Sequence, residues 1–242
     1  MSEAPNSRGD VIAAITADTT TRSNAHDALR SSASFTAQLT RLDRLTSALV
    51  TLVRASWMES SRHLPLLDGY LLYTSTDDTL ESVVAIRGLI GSGVHNAARR
   101  ELRYLLESSV KHVYVDQQLP SLDTHSRADR IAYLASDVPR SGIDVVKELH
   151  VLFGDSSVLP KFRADVKSTW AGMASYVHPS VSQTKERLDK ASRGAYIGFE
   201  DVKALSRVVD EIARVYDMLG VLWLMGAGPS PAGEILSAVE VP

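Results

Sequence analysis

From about residue 26 the chain repeats apolar residues at three- and four-residue steps, broken mainly at prolines and glycines. Phe35, Leu39, Leu42, Leu49, Val53 and Trp57 form the first stripe, widened by Leu45 and Leu52. Arg41, Asp43, Arg44 and Arg54 lie mostly off it. This spacing puts the apolar residues on one face of a helix, so a long amphipathic helix is predicted. Pro65 interrupts it, and Leu66 to Tyr73 reads as a short helical piece. Asp78 with Glu81 three residues later has the spacing of a capping box, which predicts a helix from about Thr79 to Ile90. Gly91-Ser92-Gly93 then breaks the pattern.

Val94 to Leu119 carries the clearest division of faces. Ala98, Leu102, Leu105, Leu106, Ser109, Val110 and Val113 cover one side, and Arg100, Arg103, Glu107, Lys111 and Tyr114 another. Pro120 ends it. Ser121 to Thr124 is expected to cap a helix bearing Ile131, Leu134 and Ala135, stopped by Pro139. Ile143 to Phe153 reads as a short helix, and Pro160 suits the first turn of one reaching about Val177. His178-Pro179-Ser180 interrupts, and Ser180 with Gln183 can cap the next helix. Val202, Leu205, Val208, Val209, Ile212, Tyr216 and Leu219 make a last stripe. It runs into Trp223, Leu224 and Met225, apolar on every side and therefore buried or in an interface.

No segment alternates as a strand would, and no period of repetition is present. The expected fold is all-α: a single-domain bundle of seven to nine helices over 25–227. Residues 1–24, rich in Ser, Thr and Ala, are expected to be a flexible N-terminal tail with at most a helical turn, and 228–242 a C-terminal tail.

Composition trims the functional classes. The 242 residues are 44% hydrophobic and 23% charged, which excludes wholesale disorder. There is no cysteine, so disulfides, thiolate zinc, iron–sulfur clusters and thiol catalysis are out. With 26 basic against 29 acidic residues, a polybasic coat for nucleic acid or membrane is not expected, although a local patch survives the average. No apolar run is long enough for a bilayer and no signal segment opens the chain, so a cytoplasmic protein without membrane association is expected.

Motifs for chemistry are sparse. Phosphate-binding, zinc-helix and nucleophile-elbow motifs are absent, so neither a metal site nor a cofactor is expected. Gly88-Leu-Ile-Gly91-Ser-Gly93 follows a helix rather than a strand and reads as a helix break. Ser108-x-x-Lys111 and Ser182-x-x-Lys185 have a spacing that arises by chance. Asp77, Asp78 and Glu81 lack the second acidic cluster that a magnesium–diphosphate site needs. Two candidates remain. Arg99, Arg100 and Arg103 could form an anion-binding patch for phosphate, RNA or an acidic partner, and the basic set is 19 Arg to 7 Lys. His178, where a helix ends before a proline, could act as a general acid or base beside an arginine. The other histidines read as surface or packing residues.

Ala85-Ile-Arg87-Gly-Leu-Ile-Gly-Ser-Gly93 followed by Ala97-Ala-Arg-Arg-Glu-Leu-Arg103-Tyr-Leu-Leu-Glu107, with Ser175-Tyr-Val-His178-Pro-Ser180 downstream, resembles HEPN-like helical proteins of bacteria, often associated with abortive infection. The similarity spans about residues 66–225. It implies a helical fold, a homodimer or protein partner, a defence or toxin–antitoxin setting, and Arg103, Glu107 and His178 as the site. Active members are metal-independent ribonucleases with an Arg-x4-6-His motif. Here Arg87 to His95 and Arg103 to His112 are both too widely spaced. Three functions are therefore carried forward. They are a non-catalytic interaction protein presenting Trp223, Leu224 and Met225 or the Phe35–Trp57 stripe, a divergent ribonuclease, and a small-ligand or nucleotide-binding regulator.

Overall fold

The computed structural model describes residues 8–62, 69–140, 142–150, 158–177, 180–192 and 201–227. Among these the chain is all-α. The helices are α1 (Arg8–Arg30), α2 (Ala33–Ser61), α3 (Leu71–Thr74), α4 (Thr76–Gly91) and α5 (His95–Gln118). They continue with α6 (Arg127–Ser136), a 3-10 turn at Asp144–Glu148, α7 (Leu159–Ala174), α8 (Val181–Ser192) and α9 (Val202–Ala227).

The bundle is built round α5. Its predicted apolar face is buried throughout: Ala98, Leu102, Leu106 and Val110 are inaccessible, and Leu105, Ser109 and Val113 nearly so. Each large apolar side chain so placed contributes about 1.5–3 kcal/mol. Against it pack α4 and α9, while α2 closes the other side by packing on both. Arg41 meets Asp210, and Leu52 lies beside Gly220, so α2 and α9 run parallel. Ser82 bonds Glu101 and Tyr104 bonds Asp78, so α4 runs back along α5. On the outer side of α5 lie α3, α6, the 3-10 turn and α7.

Differences from the sequence reading have local causes. Where at most one helical turn is expected within residues 1–24, the described chain is helical from Arg8 and mostly exposed. Thr16, Thr20 and Thr21 return their hydroxyls to the carbonyls of Ile12, Thr16 and Ala17, each at 2.9 Å, so the threonines fit the helix without burial. Asp78 caps nothing: α4 starts at Thr76, and the Asp78 carboxylate accepts the Tyr104 hydroxyl at 2.7 Å. The cap of α6 is a Ser126–Asp129 capping box rather than Ser121 to Thr124. The expected inner residue Ile131 is 52% exposed, because Arg130 takes the buried position. The segment after Ile143 forms only the 3-10 turn; 151–157 lie outside the described residues. Two predicted features are as expected: Pro160 sits in the first turn of α7, and Ser180 Oγ accepts the Gln183 amide at 3.0 Å.

Trp223, Leu224 and Met225 do not form an outward face. Trp223 is wholly buried, edge-on to Tyr73 at 6.0 Å, Met225 is 5% exposed, and Leu224 packs against the same core. A terminal helix lined on both sides by α2 and α5 buries more than one stripe, so these residues are covered within the chain. The other proposed face is likewise internal: Phe35, Leu42, Leu49 and Val53 are buried, and only Trp57 at the end of the stripe is open.

Candidate functional site

The outer side of α5 meets a gap in the helices that cover it. Arg100, Arg103, Glu107 and Lys111 follow at steps of three and four and so stand in a row. Tyr104, Ser108 and His112 make a second row one residue further round. These rows floor a cleft of about 640 Å³. Leu134 of α6, the following Val138, Pro139 and Arg140, and Val177 beyond the end of α7 complete its wall. That volume is in the range of small-molecule sites, which pair apolar walls with a few placed polar groups.

Arg103 is the unusual member. Its side chain is 12% exposed and its guanidinium lies over the Trp170 ring at 4.3 Å. Its Nε and Nη1 are buried and have no hydrogen-bond partner among the described residues. Glu107, one turn further along α5, comes only to 3.9 Å from Nη2, an ion pair without a hydrogen bond. Both Glu107 oxygens are already engaged: Oε1 by Lys111 Nζ at 2.6 Å and Oε2 by Trp170 Nε1 at 2.9 Å. Lys111 is held further by the Arg140 carbonyl at 3.0 Å. Leaving charged donors buried and unfilled costs on the order of 1–3 kcal/mol each.

The second row has a different character. The Tyr104 ring is 48% exposed while its hydroxyl is anchored on Asp78. That bond, with burial second, pushes the phenol up to about 12, so the ring stays neutral. Burial pushes the His112 imidazole down to about 4 against the pull of Asp78, and its Nδ1 stands 3.2 Å from Ser75 Oγ. His112 is therefore an uncharged ring at neutral pH and a weak base. Ser108 donates to the Leu105 carbonyl at 3.2 Å and Lys111 is held elsewhere, so the two do not act as nucleophile and base.

The predicted anion patch divides. Arg99 is only 7% exposed and faces away from the cleft: Nε and Nη2 reach the Glu211 carboxylate at 2.7 and 3.1 Å, Nη1 reaches Asn96, and the guanidinium lies over Tyr176. One residue is a 100° turn on a helix, enough to send Arg99 to α9 and Arg100 to the cleft. Arg100 and Arg103 do share the cleft. His178 lies outside the described residues, and the described residue before it, Val177, lines the cleft wall. Sequence reasoning missed Tyr104, His112, Arg140 and Trp170. The Glu107–Lys111 step was visible, but no local signal joins Trp170 to a carboxylate 63 positions earlier.

Among the described residues no group of three or more His, Asp or Glu is placed to hold a metal ion, and no helix is long and apolar enough to cross a membrane. No family model, curated protein or solved structure matches this chain.

Proposed function

We propose that this chain is a ligand-binding protein that takes a small organic anion in the cleft on the outer side of α5. The observation that carries this is Arg103, a guanidinium stacked on Trp170 in the lining of the cleft, with one carboxylate, Glu107, among the lining residues. Planar recognition of carboxylate or phosphate by such a fork is what arginine does best. Arg100, Lys111 and Arg140 add positive charge, and Leu134, Val138, Pro139 and Val177 offer apolar contact to the rest of a ligand. The cleft is built from three separate parts of the chain, so an occupant would tie the end of α7 and the stretch after α6 to α5. That coupling suits a regulator that responds to a ligand. An interaction protein is less well supported, since Trp223 and Met225 belong to the core.

Titration calorimetry with a panel of organic phosphates and carboxylates, on wild type and Arg103→Met, tests the reading. Binding by the wild type that weakens about tenfold or more in the variant is expected, from the 1.5–3 kcal/mol of a charged hydrogen bond. No binding at millimolar concentration, or binding indifferent to the variant, overturns it. Cleavage of RNA in chelator by wild type and not by His178→Ala or Arg103→Ala would instead favour the ribonuclease.

A further inference from the structure

Resting on that reading, the two sides of the cleft narrow the ligand. The four cations Arg100, Arg103, Lys111 and Arg140 face one lining carboxylate, Glu107, which leaves a surplus of three positive charges. A single carboxylate answers that surplus poorly; a phosphate monoester carries about −1.5 to −2 at neutral pH with three acceptor oxygens. The adjoining row of Tyr104, Ser108 and His112 has no charge to match. It offers an open aromatic face held in place by Asp78, a hydroxyl, and a neutral imidazole. A ligand filling both rows has a compact dianionic head and an uncharged planar body that stacks and hydrogen-bonds.

We infer that the cleft binds a nucleoside monophosphate, its phosphate on Arg103 and Arg100 and its base on the exposed face of Tyr104. Lys111 and Arg140 flank the phosphate. Glu107 is a positioning residue: through Lys111 Nζ and Trp170 Nε1 it fixes both the neighbouring cation and the ring beneath the guanidinium. The same chemistry is offered by a free nucleotide and by the 5′-phosphorylated end of a single strand.

The test is calorimetry without divalent ions, using adenosine 5′-monophosphate, ribose 5-phosphate, adenosine, benzoate and a 5′-phosphorylated tetraribonucleotide. Wild type is expected to bind the monophosphate at least about tenfold more tightly than ribose 5-phosphate, the scale of one base stacked on an aromatic ring. Adenosine should be weaker still. Tyr104→Leu should abolish this preference, whereas Tyr104→Phe, which keeps the ring but loses its bond to Asp78, should retain part of it. A tetranucleotide tighter than the monophosphate supports the same chemistry and makes a strand end the source; a weaker one makes the source the free nucleotide. Equal affinity for ribose 5-phosphate and the monophosphate, or tighter binding of benzoate than of any phosphate, overturns the nucleotide and leaves the anion cleft standing. If no compound binds, both readings fall.

Discussion

Two arginines stacked on aromatic rings in neighbouring parts of the fold have different fates. Arg130 of α6 has no accessible side chain, lies over the Tyr70 ring at 4.8 Å, and sits with Nε 3.6 Å from Asp116. Its Nη1 donates to the carbonyls of His125 and Ser126 and its Nη2 to those of Leu119 and Ser121. Asp116 in turn accepts the Leu71 and Leu72 amides at 2.9 and 3.0 Å, capping α3. The guanidinium thus joins α3, α5 and α6 with both terminal nitrogens occupied. Arg103 has the same ring stacking and a side chain 12% exposed, but its Nη1 as well as its Nε has no hydrogen-bond partner, and it lines the cleft. The first arginine completes the fold, whereas the second is held in readiness at a cost to it. Each leaves its Nε without a hydrogen bond; what separates them is that both terminal nitrogens of Arg130 are bonded to carbonyls, whereas those of Arg103 are not.

The comparison can be broken at its strongest point first. Arg130→Ala should destabilise the protein by about 3–5 kcal/mol, because it strands a buried carboxylate and frees four carbonyls at once. Chemical denaturation measures this, and a loss under 1 kcal/mol would show that the junction does not hold the fold.

A smaller effect comes from pH, where the two regions oppose each other. Burial pushes the Asp116 carboxyl up to about 7, against the Leu72 and Leu71 amides and Arg130. Its folded value lies above its unfolded value near 3.8, so its stabilisation is full below that pH and is lost as pH rises through about 7. His112 at the cleft is the reverse: lowered from 6.5 to about 4, it stabilises fully above pH 6.5 and loses that contribution as pH falls through 4. Between about pH 4 and 6.5 the two slopes, each up to about 1.4 kcal/mol per pH unit, cancel. Asp116→Asn should therefore reveal a fall in stability toward acid, and His112→Gln a fall toward neutrality, by about 2–3 kcal/mol across the window. Urea midpoints from pH 4.5 to 7.5 give the answer; variants that parallel the wild type would contradict both assignments.

The smallest change in stability sharpens the contrast most. Arg103→Met without ligand should move the unfolding free energy by no more than about 1 kcal/mol, as losing the ring contact offsets relief of unfilled donors. A loss comparable to that of Arg130→Ala, read from the same denaturation curves, would make Arg103 a second structural arginine.

The cleft was half legible in the sequence. Arg100, Arg103, Glu107 and Lys111 share a face by spacing alone, and that row is its floor. Arg99 was assigned to the same patch because runs of arginine look alike in sequence, and only the position of Glu211 on α9 sends it elsewhere. His112 reads in sequence as a surface or packing residue, since a half-buried position on a helix flank carries no periodic mark. Trp170, Arg140 and Val138 belong to segments whose neighbours periodicity cannot name.

What the sequence by itself determined is which residues face inward along each helix. The stripes on α5 and α9 are buried almost residue for residue, and that on α2 buries Phe35, Leu42, Leu49 and Val53, because water is excluded from the same face whatever partner covers it. The tertiary structure alone decided which faces meet, and therefore which charges are answered. It set Glu211 against Arg99, carbonyls and Asp116 round Arg130, and a tryptophan ring against Arg103. Hydrophobic burial is non-directional and follows from pattern, whereas a hydrogen bond requires a particular partner at a particular distance, which only the packing of distant segments supplies.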